Sequence, residues 1–127
     1  MPEAPTLVPS LETGRVCHRQ GQLDQAQAIY AAILEAVPDH AEALHLLGVL
    51  FCQRGETRRA VGLIGRAIAL IQARLIEVRL PERAQLRLTC AAAYNDLGCA
   101  WRDLGYVEEA EGCFRYALVL SLSLIHI

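Results

Sequence analysis

The feature that most constrains this chain is a glycine pair repeated three times at one spacing. Gly14, Gly48 and Gly98 each stand seven residues before a second glycine, Gly21, Gly55 and Gly105. Four residues before each second glycine comes Cys17, Phe51 or Trp101, and five residues after it comes Ala26, Ala60 or Ala110. A large apolar side chain follows four residues later (Tyr30, Ile64, Phe114), and Ile33, Ala67 or Ala117 three after that. Offsets of four and three place these positions on one face of a helix. A glycine inside a helix costs about 1 kcal/mol against alanine, so the same costly residue at one register of three helices implies a contact too close for a Cβ. The second glycine of each pair suits a left-handed helix cap and turn. Each unit therefore reads as a first helix, a tight turn and a second helix packed antiparallel to it.

Gly14 and Gly48 are 34 residues apart, a period that belongs to helical-repeat solenoids. On these residues the chain resembles the tetratricopeptide-repeat family from residue 7 to about 120. Repeat two supplies Leu44, Leu47, Gly48, Phe51, Gly55, Ala60, Ile64 and Ala67. Repeat three supplies Tyr94, Leu97, Gly98, Trp101, Gly105, Ala110, Phe114 and Ala117. Repeat one has Ser10 and Thr13 where apolar residues are expected, so its first helix reads as a frayed or capping element. It recovers with Gly14, Cys17, Gly21, Ala26, Tyr30 and Pro38. The implied fold is an all-α superhelix of about three antiparallel helical hairpins. Helices are expected near 8–20, 23–36, 40–54, 57–79, 82–104 and 107–121. Asp39 with Glu42 reads as a capping box for the third helix, and Pro81 followed by Glu82 as a helix start.

The spacing from Gly48 to Gly98 is 50 residues, sixteen beyond the period. Residues 75–90 lack loop composition, and Gln72 stands where a helix-ending proline is expected. They read as a helical insert that lengthens the second helix of repeat two and the first helix of repeat three, with a turn near Leu80 and Pro81. The face carrying Arg74, Glu77, Arg79, Glu82, Arg83 and Arg87 reads as solvated and salt-bridged. The domain plan is a disordered tail over 1–6, repeats over 7–40, 41–74 and 91–121, the insert at 75–90, and a tail over 122–127. That closing hexapeptide, LSLIHI, has no charge, cap or helix stop. It matches one reading frame of the mosaic-end adaptor of transposase-based library preparation and is read as non-native.

Composition narrows the function. With 54% hydrophobic and 20% charged residues the chain is not a disordered, solvating segment. All twelve basic residues are arginines, spread and matched by acids to a net charge of −2, which is no nucleic-acid footprint. No uncharged 18-residue stretch suggests a membrane span. The N-terminus lacks the basic and apolar regions of a signal peptide, so the expected location is cytoplasmic. The five cysteines include no CxxC pair and read as small apolar core residues. None of His18, His40, His45 and His126 lies in a recognisable catalytic motif, and His40 reads as solvated at a helix start. No catalytic residue, cofactor or metal is expected, and the chain reads as non-enzymatic.

Binding is what the resemblance implies. First helices line the groove of such arrays, and the positions that fall there are Arg15, His18 and Arg19 with Glu12 in repeat one. Repeat two contributes Glu42, His45, Leu46, Val49 and Gln53, and repeat three Asn95, Asp96, Cys99, Arg102 and Asp103. The expected partner is a protein or peptide. The family's carboxylate clamp is not matched, since Leu11, Arg15, Leu46, Ala92 and Asp96 stand at its positions. The asparagine ladder of O-GlcNAc-transferase repeats is not matched either, with Glu12, Leu46 and Asp96 in that register. Residues 21–70 are also similar to the opening repeats of bacterial proteins whose later region is a SPINDLY/O-GlcNAc-transferase-like glycosyltransferase, a sulfotransferase or a methyltransferase. In that alternative the repeats recruit a substrate for chemistry located elsewhere. A solenoid end needs a polar cap, so an uncapped third hairpin is expected to favour self-association.

Overall fold

A computed structural model describes residues 10–79 and 81–125, without the side chains of 123–125. The described residues form helices joined in sequence as antiparallel hairpins: α1 (Leu11–Arg19), α2 (Leu23–Ala36), α3 (Ala41–Gln53), α4 (Thr57–Glu77), α5 (Glu82–Asp103) and α6 (Val107–Ile125). Each helix packs on the next along the chain, and α3 also touches α5. This is the expected all-α hairpin superhelix. The expected tail over 1–6 lies outside the described residues.

The three hairpin turns are built alike. Gly21, Gly55 and Gly105 have φ of 78°, 83° and 90°, a left-handed conformation that costs other residues roughly 1–2 kcal/mol. Beyond each glycine a backbone N–H reaches five residues back: Gln22 to the Cys17 carbonyl at 2.9 Å, Glu56 to Phe51 at 2.8 Å and Tyr106 to Trp101 at 2.9 Å. These bonds satisfy carbonyls the helix end would otherwise leave open.

The other glycine triplet lies inside the hairpins. A Cβ on Gly14 would fall 2.6 Å from Cε1 of Tyr30, on Gly48 2.5 Å from Cγ1 of Ile64, and on Gly98 2.6 Å from Cε1 of Phe114. The large residue of each second helix thus occupies the space its own first helix leaves open. Tyr30 and Ile64 are fully buried in this way, among Ala26, Leu44, Leu50, Phe51 and Ala60. In the third hairpin Tyr94, Trp101 and Phe114 are half-buried.

Some expectations about helix ends are corrected. α1 starts at Leu11 rather than near residue 8, because the Ser10 hydroxyl accepts from the Thr13 N–H at 3.1 Å and fixes an extended N-cap. The polar residues that break the repeat pattern are therefore a cap. Asp39 and Glu42 do not form a capping box. His40 caps α3, its Nδ1 accepting from the Ala43 N–H at 3.1 Å, and is half-buried rather than solvated. Asp39 instead takes the Arg66 guanidinium at 2.9 Å, a charge-assisted contact between the α2–α3 turn and α4.

The insert is helical on both sides of its turn. α4 and α5 run to 21 and 22 residues, against 14 and 13 for α2 and α3. The core follows them outward through Ile71, Cys90 and Ala91, with Leu75 and Leu86 partly buried beyond. Gln72 donates to the Tyr94 hydroxyl at 2.8 Å, so α4 is tied to α5 where a proline would have ended it. On the expected salt-bridged face, Arg83 donates to the Leu75 carbonyl across the hairpin at 3.2 Å. At the C-terminus α6 runs through Leu122 to Ile125, so the expected boundary at 121 is not a helix boundary.

The cysteine expectation holds for one residue. Cys90 is buried, while Cys17, Cys52, Cys99 and Cys113 are half-buried. Burial pushes the Cys90 thiol above its ordinary pKa, with Arg87 opposing weakly. The thiolate is the reactive form, so Cys90 should resist iodoacetamide at neutral pH and react once urea unfolds the chain. Alkylation of Cys90 in the folded protein at the rate of an exposed thiol would contradict this packing. The glycine contacts give a second prediction. Gly48→Ala should destabilise by about 1–2 kcal/mol, overpacking against Ile64 outweighing the gain in helix propensity. Gly62→Ala, where an added Cβ meets nothing within 4 Å, should stabilise by about 0.5–1 kcal/mol. Urea denaturation of both variants tests the contrast.

Candidate partner-binding groove

The first helices α1, α3 and α5 carry the expected groove residues, and polar contacts join each to the next. Arg15 of α1 pairs with Glu42 of α3. His18 of α1 meets Gln53 of α3, Nε2 to Oε1 at 2.6 Å. His45 of α3 meets Asp96 of α5, Nε2 to Oδ2 at 2.6 Å. Six of the expected residues are therefore engaged pairwise across the repeat boundaries. Arg15–Glu42 is substantially exposed and worth about 0–1 kcal/mol. His45–Asp96 is more enclosed, the histidine side chain being 12% exposed. It is the specific tie between repeats two and three on this face.

His18 is also held from below. Its Nδ1 lies 3.2 Å from the Tyr30 hydroxyl, and the two rings meet edge to face with centroids 5.9 Å apart. With Gln53 Oε1 accepting from Nε2–H, Nδ1 of the neutral ring accepts from the Tyr30 hydroxyl. Burial raises the pKa of that phenol, with Arg15 and Arg19 opposing, so it stays a donor at neutral pH. Tyr30 thus contributes twice: its ring fills the space above Gly14 and its hydroxyl sets the orientation of a groove histidine. The apolar period of α2 marked the ring as core and gave no sign of the second role.

Around these residues lies an open pocket of about 490 Å³, lined by Arg15, His18, Arg19, Leu46, Val49, Gln53 and Tyr30. All but Tyr30 were expected from their register. Two guanidinium groups flank the half-buried aliphatic pair Leu46 and Val49. Glu12 lies 3.7 Å from Arg15 and 3.4 Å from Arg19, so the charge here is balanced by acids of α1 and α3. The chemistry on offer is a short apolar strip with cationic, hydrogen-bonding edges.

The repeat-three residues divide. Asp96 is engaged by His45. Asp96, Asp103 and Cys99 bear electrostatically on Cys52, whose pKa is raised first by burial and then by these groups. Cys52 therefore belongs to this face. It stands at the repeat position of His18 and Arg102, a correspondence that would have marked it in the sequence. Arg102 turns to its own hairpin, with its guanidinium 5.9 Å from the Phe114 ring centroid. Asn95 lines a different cleft, between α5 and α6. Neither joins the pocket of repeats one and two, and both stand beside α6.

No group of three or more His, Cys, Asp or Glu side chains suited to a metal ion occurs among the described residues. No helix among them is long and apolar enough to cross a membrane.

Among the solved structures that match this chain are two described as crystal structures of MamA. One is 17% identical, with 90% of this chain and 97% of that chain covered and a TM-score of 0.39. The other is 21% identical, with 91% and 74% covered and a TM-score of 0.46. No curated protein matches the chain. The family model of the tetratricopeptide repeat matches residues 9–73. With that match over half its length and three hairpins sharing one glycine-capped geometry, the chain belongs to the tetratricopeptide-repeat family.

Proposed function

We propose that this chain is a protein-interaction module that takes a short segment of a partner protein along the exposed face of α1 and α3. Tetratricopeptide repeats generally mediate protein–protein interaction, and the observation that supports this face is the pocket around Leu46 and Val49. An apolar side chain of the partner fits over Leu46 and Val49. A carboxylate beside it can exchange with Glu12 or Glu42 for the guanidinium groups of Arg15 and Arg19, which suit bidentate recognition of a carboxylate. A segment with one apolar anchor and a nearby acid is the class of ligand this chemistry favours. Binding would also bridge α1 and α3, which the Arg15–Glu42 and His18–Gln53 contacts already hold in register.

The alternative of a recruiting region in a larger transferase adds chemistry outside these residues. No feature of the groove favours it over a binding module. The proposal is therefore confined to the repeats themselves, which would act by holding a partner and not by catalysis.

The test uses peptides selected from a displayed random library against the intact chain, with affinities read by fluorescence polarisation. Arg19→Ala and Val49→Arg should each weaken the selected peptides about tenfold or more, the equivalent of about 1.4 kcal/mol. Glu77→Ala, on the inserted hairpin, should leave them unchanged. Peptides that ignore both groove substitutions while circular dichroism shows intact helices would overturn the assignment.

A further inference from the structure

The two repeat junctions carry matching clefts, and the charge in them changes sign. At the first junction Phe51 of α3 shares a cleft with Gln27 of α2 and Arg59 of α4. The Arg59 guanidinium sits over the Phe51 ring, 4.3 Å from its centroid, and Glu56 holds it through an ion pair of 3.2 Å. At the second junction a cleft of about 310 Å³ is lined by Arg58 and Val61 of α4, by Trp101 and Leu104 at the end of α5, and by Tyr106 and Glu109 at the start of α6. By repeat position Val61 stands for Gln27, Trp101 for Phe51, Tyr106 for Glu56 and Glu109 for Arg59. Repeat two thus provides its own arginine for its aromatic ring, whereas repeat three places a carboxylate there.

What repeat three keeps is the means to hold a cation. Trp101 and Tyr106 meet edge to face with ring centroids 5.3 Å apart, and Tyr106 is 44% exposed. The face of an aromatic ring attracts a cation, and indole does so most strongly. Among the described residues, the guanidinium groups placed over rings are Arg59 on Phe51 and Arg102 on Phe114, so Arg58 does not occupy Trp101. The counterpart of Arg58 is Asp24, which pairs with Arg54; Leu104 stands in the place of Arg54, and that link has no equivalent at the second junction. These positions face solvent within the stack. With repeat three packed after them, the side chains of Glu56 and Arg59 are still 47% and 63% exposed.

We propose that the Trp101–Tyr106 cleft takes an arginine side chain of a partner protein, its guanidinium stacked on Trp101 and its N–H groups donating to Glu109. The arrangement reproduces, between two chains, the contact that Arg59 and Phe51 make within one. Arginine suits it because the guanidinium is planar and weakly hydrated, stacks on aromatic faces and pairs with a carboxylate through two parallel hydrogen bonds. The cleft shares no residue with the pocket around Leu46 and Val49, so it stands or falls separately from that groove.

Trp101 is the one tryptophan of the chain, so its fluorescence reports this site directly. The intact chain is titrated with the peptide acetyl-Gly-Arg-Gly-amide and with its citrulline counterpart, which keeps the shape and lacks the charge. The expected result is a saturable change in Trp101 emission with the arginine peptide and binding weaker by about threefold or more with citrulline. Glu109→Gln should weaken the arginine peptide by about threefold or more. Glu109→Arg, which restores the arrangement of repeat two, should abolish the response by filling the site from within. Arg58→Ala removes a like charge from the cleft and should strengthen binding, while Arg19→Ala in the α1–α3 groove should leave it unchanged. Circular dichroism on each variant establishes that the helices persist. No saturable response to the arginine peptide would overturn the proposal. So would an equal response to citrulline, indifference to both Glu109 substitutions, or weaker binding in Arg58→Ala.

Discussion

The stack depends on a contact in which a first-helix glycine lets a second-helix side chain reach its backbone. Tyr30, Ile64 and Phe114 lie where a Cβ of Gly14, Gly48 or Gly98 would be. The contact brings the two helices of a hairpin together and buries a large apolar surface. Burial of one such side chain contributes about 1.5–3 kcal/mol, more than the helix propensity that the glycine forfeits. The left-handed glycine seven residues later reverses the chain so that the two helices meet. One glycine thus makes the hairpin turn, and the other lets it close.

Hairpins built this way still need to be set relative to one another, and polar side chains of the first helices contribute to that. Arg15–Glu42, His18–Gln53 and His45–Asp96 each cross a repeat boundary, while Arg54 to Asp24 and Arg66 to Asp39 connect repeats one and two elsewhere. Exposed pairs of this kind add little stability. Their geometry fixes which side chains remain available to a partner. His18 is oriented by the Tyr30 hydroxyl and Gln53, and Leu46 and Val49 are left as the apolar floor. In the function proposed, recognition and inter-repeat alignment draw on the same residues. A partner that competes for Arg15 or Gln53 would also act on the relation between hairpins.

The inserted segment shows how the repeat accepts extra length. Sixteen residues beyond the period could have formed a loop, yet the apolar spacing of residues 75–90 continues the helices on both sides of Pro81. Ile71, Cys90 and Ala91 carry the core into the extension, and Gln72 joins Tyr94 across it. The hairpin of α5 and α6 keeps the turn chemistry of the first two at Gly105.

The sequence by itself determined the all-α class, the hairpin boundaries to within a few residues and the two roles of glycine. Those properties follow from local backbone chemistry and from periodicity along one chain. Six of the seven residues that line the pocket on this face could also be read from their register. Tertiary structure decided what register cannot carry. His40 displaced Asp39 as a cap because Arg66, brought close by the fold, engages that carboxylate. Tyr30 reached His18 because the glycine contact places α2 directly beneath α1. Arg102 and Asn95 stand apart from the pocket because the fold sets them against α6. Spacing along the chain tells which face of a helix a residue occupies; only packing in three dimensions determines which neighbour that face meets.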